Sequence, residues 1–458
     1  MAETKVVGFL CNWCSYVGAD LAGTSRLPVP ANIRFIRVPC SGRVDPLIVV
    51  RAFQSGADGV LILGCHPGDC HYREGNYYAR RRFALLHRLL AFLGIEPERF
   101  RLDWVSAAEG HRFSRIAREF SDAVDRLGPL ELPWAKGKTG RRGEGETGGH
   151  GEATGQRVGE SPSSLATQAA LRETARRLLA EDRVDLFIGY EMGTRGATRP
   201  AFIYEPEEAE RLVWNSACTH NLTGYLRDAR RPARQGEPPP RIGLLVKACD
   251  ARSLALLLHD GQVERERITV VGVVCEGMRQ GAGFPADRLS DAMQSRCLGC
   301  TDRVPLLCDE LIGEAGAIEG VRALDEVAAL EALPIAERRA FWAAQFDRCL
   351  RCYACRQACP LCYCEECLAE QLGPPWEEIA IRAPENAFFL IMRALHLAGR
   401  CVGCNECARA CPMGIRLDLL NLKVARDAEA LFGYRAGEAV DATPVLATFE
   451  SDEERVLR

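Results

Sequence analysis

Two stretches place cysteine at a spacing suited to iron. Residues 349–360 hold Cys349, Cys352, Cys355, Cys359 and Pro360, and residues 401–412 repeat the pattern with Cys401, Cys404, Cys407, Cys411 and Pro412. In C-x2-C-x2-C-x3-C-P, three neighbouring thiolates grip one 4Fe–4S cube and the fourth ligates the other cube of a pair. Cys349, Cys352, Cys355 and Cys411 are therefore expected on one cube, and Cys401, Cys404, Cys407 and Cys359 on the other. Each proline stops the local helix and turns the chain away from the metal. Structural zinc also takes C-x2-C pairs, but it needs four ligands at one centre and no C-x3-C-P tail. The expected chemistry is electron transfer.

The rest of the chain must position those thiols. It has 458 residues, a length that predicts two to four domains. At 47% hydrophobic and 26% charged it has the composition of a soluble globular protein. A formal net charge of −4 gives no electrostatic case for nucleic acid or an anionic membrane. The N-terminus leads straight into a strand pattern with no signal-peptide core, and no apolar run approaches the ~18 residues of a membrane span. Without secretion, the 22 cysteines read as metal ligands rather than disulfides. The expected compartment is the cytoplasm, that of an anaerobe because exposed clusters react with oxygen.

Residues 1–134 alternate buried strands (5–11, 33–40, 59–65 and one near 100–106) with helical stretches (45–56, 76–93 and 112–127). That order predicts an α/β domain with a parallel, flavodoxin-like sheet. Cys11 and Cys14 follow the first strand, Cys40 the second, Cys65 and Cys70 the third. Ligands of open α/β sheets gather beyond the carboxyl ends of the strands, so five thiols should converge on one edge. A thioredoxin-like C-x2-C pair would leave three of them unexplained. One iron–sulfur cluster on four of the five fits better, and spacing does not say which four. His66 and His71 are expected in a supporting role, or as ligands in the manner of Rieske centres. Three consecutive arginines, Arg80–Arg82, are expected on a solvated helix face, with a docking surface for an acidic partner as the alternative.

The residues around these cysteines (Phe9 to Ser15, Val38 to Arg43, Gly64 to Tyr72) closely resemble the delta subunit of methyl-viologen-reducing hydrogenase. The resemblance covers essentially all of residues 1–134. It implies a 2Fe–2S cluster on Cys11, Cys14, Cys40, Cys65 and Cys70, one of them spare, and delivery of electrons to the flavin subunit of a heterodisulfide reductase.

Residues 135–163 are Gly-, Glu-, Arg- and Ser-rich and are expected to be a disordered linker between independently folding halves, as in a fusion of chains that are separate elsewhere. A second α/β domain is expected over 164–335. It opens on a helix at 167–181, has strands at 184–190, 201–204, 241–247 and 268–274, a helix at 205–214, and a helix at 250–259 capped by Asp250. Two strands end on Cys249 and Cys275, and Cys297 and Cys300 follow, a plausible four-thiolate site for a third 4Fe–4S cluster. Two isolated core cysteines beside a chance C-x2-C would look the same. Cys218 and Cys308 lack spacing partners and read as structural thiols.

The order Lys247-Ala-Cys249-Asp250, Cys275-Glu276, Cys297, Cys300 and Asp309 to Gly313 is similar to the beta subunits of deazaflavin-dependent hydrogenases and formate dehydrogenases. That resemblance implies FAD and 4Fe–4S clusters carrying electrons between a coenzyme, or a catalytic subunit, and a partner. Two departures stand. The paired cysteine motifs lie after this domain, and the nearest flavin-phosphate loop, Gly189 to Gly196, reads more simply as a turn.

An α-rich di-cluster ferredoxin domain is expected over 336–435, with a buried helix at 385–397, a closing helix at 417–431 and a loose acidic tail over 436–458. Cys362, Cys364 and Cys367 exceed the needs of two cubes and are expected beside a cluster, with a further ligand set completed by a distant Cys as the alternative. The reading is an iron–sulfur subunit relaying electrons between a hydrogenase or a formate or NADH dehydrogenase and a heterodisulfide-reductase-like flavoprotein. The alternative is an FAD-dependent oxidoreductase acting directly on a nicotinamide or deazaflavin coenzyme.

Overall fold

The computed structural model describes residues 4–135, 162–194, 197–229, 238–279, 293–298, 300–314, 325–371, 373 and 375–453. The expected linker over 135–163 and the end of the Gly189–Gly196 loop fall mostly or partly outside them.

Four apolar segments form the first sheet: β1 (Val6–Cys11), β2 (Ile33–Val38), β3 (Gly59–Gly64) and β4 (Phe100–Trp104). They pair in parallel in the order β2-β1-β3-β4. The central β3 is buried at every position, as an all-parallel sheet covered on both faces requires. Helices α1 (Ser15–Thr24) and α4 (Gly110–Leu127) pack against each other, and Phe113, Ile116, Phe120 and Val124 of α4 join Val6, Leu61 and Leu63 in one core. Helices α2 (Pro46–Gln54) and α3 (Gly75–Phe92) supply the second core. Asp45 caps α2 by accepting the Leu47 N–H at 2.8 Å, and Pro46 starts it.

The second sheet runs β6-β5-β7-β8-β9: β5 (Leu186–Met192), β6 (Thr198–Ile203), β7 (Ile242–Val246), β8 (Ile268–Val273) and β9 (Glu310–Ile312). All neighbours are parallel except the β5–β6 hairpin. The opening helix is α5 (Pro162–Ala180). Two expectations are corrected here. The segment after β6 forms a 3-10 turn, Pro206–Arg211, rather than a helix over 205–214. The helix after β7 spans Ala248–His259, so Asp250 lies inside its first turn, accepting the Lys247 N–H at 3.2 Å and pairing with Lys247 Nζ at 2.9 Å.

The C-terminal helices Ile335–Asp347, Ala383–His396 and Leu417–Phe432 close the chain. They do not form an isolated core. Trp342, Phe346, Phe388, Leu420 and Val424 share one buried cluster with Leu47, Phe53, Phe83 and Phe92 of the first sheet's helices. Trp342 Nε1 donates to the Phe92 carbonyl at 3.1 Å, and Arg51 at the end of α2 donates to Glu385 at 2.7 Å. The halves expected to fold independently thus share apolar surface.

The acidic tail and the arginine helix are corrected together. Arg80 and Arg81 are 1% and 4% exposed, not solvated. Both face Glu453, at 3.4 Å from Arg80 and 2.9 Å from Arg81, and Phe449 stacks on Tyr77 at 4.8 Å. The tail is a strap, because two desolvated guanidinium groups need a carboxylate and the tail supplies it.

Candidate functional site

Cysteines gather in four places. At the carboxyl edge of the first sheet, Cys11 ends β1, Cys40 follows β2, and Cys65 and Cys70 follow β3. Cys11 and Cys65 Sγ are 3.6 Å apart, and Cys40 and Cys70 Sγ are 3.7 Å apart. A tetrahedral metal with bonds of about 2.3 Å to sulfur holds its thiolates about 3.8 Å apart, so each pair matches two ligands of one iron. Contacts from Cys40 and Cys65 hold the Cys11 thiol far below its usual range, while Cys40 and Cys65 are raised, chiefly by Cys11. Cys14, half-buried, touches this group through Cys65. Gly75 permits the arrangement, for a Cβ there would lie 2.6 Å from Cys40 Sγ and 3.4 Å from Cys70 Sγ. His66 is turned to Glu109 at 2.7 Å, and His71 stacks on Trp13 with centroids 3.6 Å apart.

The two repeated loops have matching backbones. Arg351 and Gly403 precede the second cysteine of each loop with φ of 47° and 71°, and Tyr353 and Asn405 follow it with φ of 59° and 62°. Left-handed residues turn successive N–H groups to one side, a nest suited to an anion. The Arg351 N–H points at Cys349 Sγ at 3.4 Å and the Ile415 N–H at Cys411 Sγ at 3.5 Å. Short helices Ala354–Gln357 and Glu406–Arg409 follow, end before Pro360 and Pro412, and pack on each other. Cys349 has Cys355, Cys411 and Cys352 within electrostatic reach, whereas Cys407 has Cys359 and Cys401, and Cys404 has Cys359. The fourth cysteine of each loop therefore faces the other loop's triad. Burial pushes Cys349 up to about 11 and Cys359 up to about 12, a cost of the free thiolates that binding a metal would remove.

The fourth place lies at the ends of β7 and β8. Cys249, Cys275, Cys297 and Cys300 line one cavity of 680 Å³, together with Val402 and Gly403 of the second loop. Arg296 Nη1 reaches Cys249 Sγ at 3.9 Å, and the Met278 N–H reaches Cys297 Sγ at 3.4 Å. Burial raises Cys249 to about 12. The thiols here are spread around the cavity, and among the described residues no compact group of three or more His, Cys, Asp or Glu has single-ion geometry.

Cys218 is buried, accepts the Asn215 N–H at 3.4 Å, and is structural; Cys308 packs against Gly272. Cys362 and Cys367 neighbour each other near Arg356, and Cys364 is exposed. Sequence reasoning missed three polar side chains aimed at the loops. Asn421 Nδ2 points at Cys407 Sγ at 3.5 Å, Asn386 donates to the Cys349 carbonyl at 2.9 Å, and Arg393 donates to the Cys355 carbonyl at 3.0 Å. Asn386 and Arg393 sit on the helix that reads as buried and apolar from sequence, and Asn421 sits on the closing helix.

A parallel sheet with clustered thiols at its edge, together with paired cysteine loops, is a set of thiolate donors of the kind that holds iron–sulfur clusters. Residues 6–128 match the family described as methyl-viologen-reducing hydrogenase, delta subunit, and through them the chain belongs to that family. It is 54% identical over 130 residues to an iron-sulfur subunit of the F420-non-reducing hydrogenase of Archaeoglobus profundus, covering 28% of this chain and 95% of that one. It is 51% identical over 136 residues to an iron-sulfur subunit of the vhc F420-non-reducing hydrogenase of Methanococcus voltae, covering 30% and 94%. It is also 49% identical over 125 residues to a subunit of the ferredoxin/F(420)H(2)-dependent CoB-CoM heterodisulfide reductase of Methanosarcina acetivorans, covering 27% of this chain and 16% of that one. No helix among the described residues is long and apolar enough to cross a membrane.

Proposed function

We propose that this chain is an electron-transfer subunit that relays electrons between a hydrogenase or a formate or NADH dehydrogenase and a heterodisulfide-reductase-like flavoprotein. The observation that supports it best is the meeting of the two loops, with Cys411 beside the Cys349 triad and Cys359 beside the Cys401 triad. Cys349, Cys352, Cys355 and Cys411 hold one 4Fe–4S cube, and Cys401, Cys404, Cys407 and Cys359 the other. Cys11 and Cys65 hold one iron of a 2Fe–2S cluster, and Cys40 and Cys70 the other, which leaves Cys14 spare. Cys249, Cys275, Cys297 and Cys300 hold a third 4Fe–4S cluster. These groups supply one-electron chemistry when bound. The protein's part is to desolvate them, to aim N–H groups at sulfur, and to fix their spacing. The names of the relatives, subunits of hydrogenase and heterodisulfide reductase, support partners of that kind.

A second reading rests on the cavity. Its 680 Å³ lies within the usual range of ligand sites, and Arg252, Arg296 and Arg303 in its wall suit a phosphate-bearing flavin nucleotide. The chain would then be an FAD-dependent oxidoreductase acting on a nicotinamide or deazaflavin coenzyme. Anaerobic purification with iron, acid-labile sulfide and flavin quantification, and electron paramagnetic resonance of the reduced protein, separates the two. About fourteen irons and no flavin are expected from these cluster assignments. A colourless protein without sulfide ends the proposal, and stoichiometric FAD moves it to the second reading.

A further inference from the structure

Among the described residues, five arginines have side chains almost wholly removed from water: Arg80, Arg81, Arg99, Arg351 and Arg393. Four of them have a carboxylate partner. Arg80 and Arg81 face Glu453, Arg99 pairs with Glu96 at 2.6 Å, and Arg351 lies 3.5 Å from Glu377. Arg393, 3% exposed, has no carboxylate within ion-pair distance among the described residues. Its Nη2 donates to the Cys355 carbonyl at 3.0 Å, while Nε and Nη1 are buried without a partner. A desolvated guanidinium without a counter-charge is among the costliest groups a core can hold.

The missing negative charge would come from the cysteines around it, as thiolates once they ligate iron. The guanidinium has Cys355 of the first triad and Cys359 and Cys407 of the other ligand set within electrostatic reach. Its position follows from the helix Ala383–His396. Asn386 and Arg393 are seven residues apart, two turns along one face, and both bond to carbonyls of the first loop. The helix therefore lays one polar face along the loops, and the cation on that face stands between the two thiol sets.

We propose that Arg393 is a positioning residue for electron transfer, placed between the two 4Fe–4S sites so that its charge raises the reduction potential of both. The inference rests on the cluster reading given above. Adding an electron makes each site more negative, and a fixed cation in a low-dielectric core favours that state. Because one guanidinium serves both sites, it moves the two potentials in the same direction. The two unpartnered N–H groups are its means of hydrogen bonding to sulfur.

The test uses the full chain, purified without oxygen, as wild type, Arg393→Met and Arg393→Lys. Midpoint potentials are read by redox titration followed by electron paramagnetic resonance. Arg393→Met, which keeps the length and removes the charge, is expected to shift both 4Fe–4S midpoints negative and leave the 2Fe–2S midpoint where it was. Arg393→Lys is expected to stay near wild type. Unchanged 4Fe–4S midpoints in Arg393→Met, or an equal shift in every centre, overturns the proposal. Should Arg393→Met lose its cubes, wild type carrying arginine 15N-labelled only in the guanidinium decides: nitrogen hyperfine coupling to the reduced cubes, lost in Arg393→Lys, supports it, and no coupling in wild type overturns it. A wild type without acid-labile sulfide sinks the cluster reading itself, a result distinct from unchanged potentials.

Discussion

The sheet-edge site and the paired loops bring cysteines together by opposite means. At the edge of the first sheet, Cys11, Cys40 and Cys65 lie at the ends of three different strands, and the order β2-β1-β3 brings them side by side. In the loops, each triad comes from a single short stretch of backbone, bent by left-handed residues at equivalent positions. The edge site is tuned by close packing, with Gly42 and Gly75 in contact beneath it. The loops are tuned by polar groups, Asn421 and Arg393 among them. A site assembled by topology is thus sensitive to volume, and one assembled by local backbone is sensitive to conformation and charge.

Breaking one region should spare the other if the contrast is sound. Cys352→Ser is expected to abolish a 4Fe–4S resonance in the reduced protein and leave the 2Fe–2S resonance intact; joint loss of both signals would merge the two regions into one unit. Glu453→Ala attacks what joins them. It leaves Arg80 and Arg81 buried without their carboxylate, and thermal or denaturant unfolding should show a loss of about 3–5 kcal/mol. Gly75→Ala places a methyl 2.6 Å from Cys40 Sγ, so about 1–3 kcal/mol of overpacking falls on the edge site. Its 2Fe–2S content should drop by iron analysis and spectroscopy while both cubes persist. The smallest effect is expected from Gly403→Ala. It forces a side chain into φ of 71° at about 1–2 kcal/mol, and since Arg351 already tolerates the equivalent position, the cubes should survive with a modest fall in melting temperature.

Much of the fold is legible in the order of apolar runs. All four strands of the first sheet and four of the second lie where alternating patterns put them, because a strand buried on both faces reads as a continuous apolar stretch. The short edge strand Glu310–Ile312 is not legible, since three residues carry no period. Arg80 and Arg81 look like a solvated face because charge in sequence says nothing of a partner 372 residues away. Arg393 looks like the polar exception on an apolar helix for the same reason.

The amino-acid sequence by itself determined the thiol inventory, the repeated loop spacing and the α/β order, since these depend on neighbours along the chain. Only the tertiary structure decided that Cys11 lies beside Cys65 and Cys40 beside Cys70, that the C-terminal strap gives Arg80 and Arg81 a carboxylate, and that Arg393, without a carboxylate partner among the described residues, lies against the loops. Those outcomes depend on which surfaces are removed from water together, a property of the packed molecule rather than of any stretch of it.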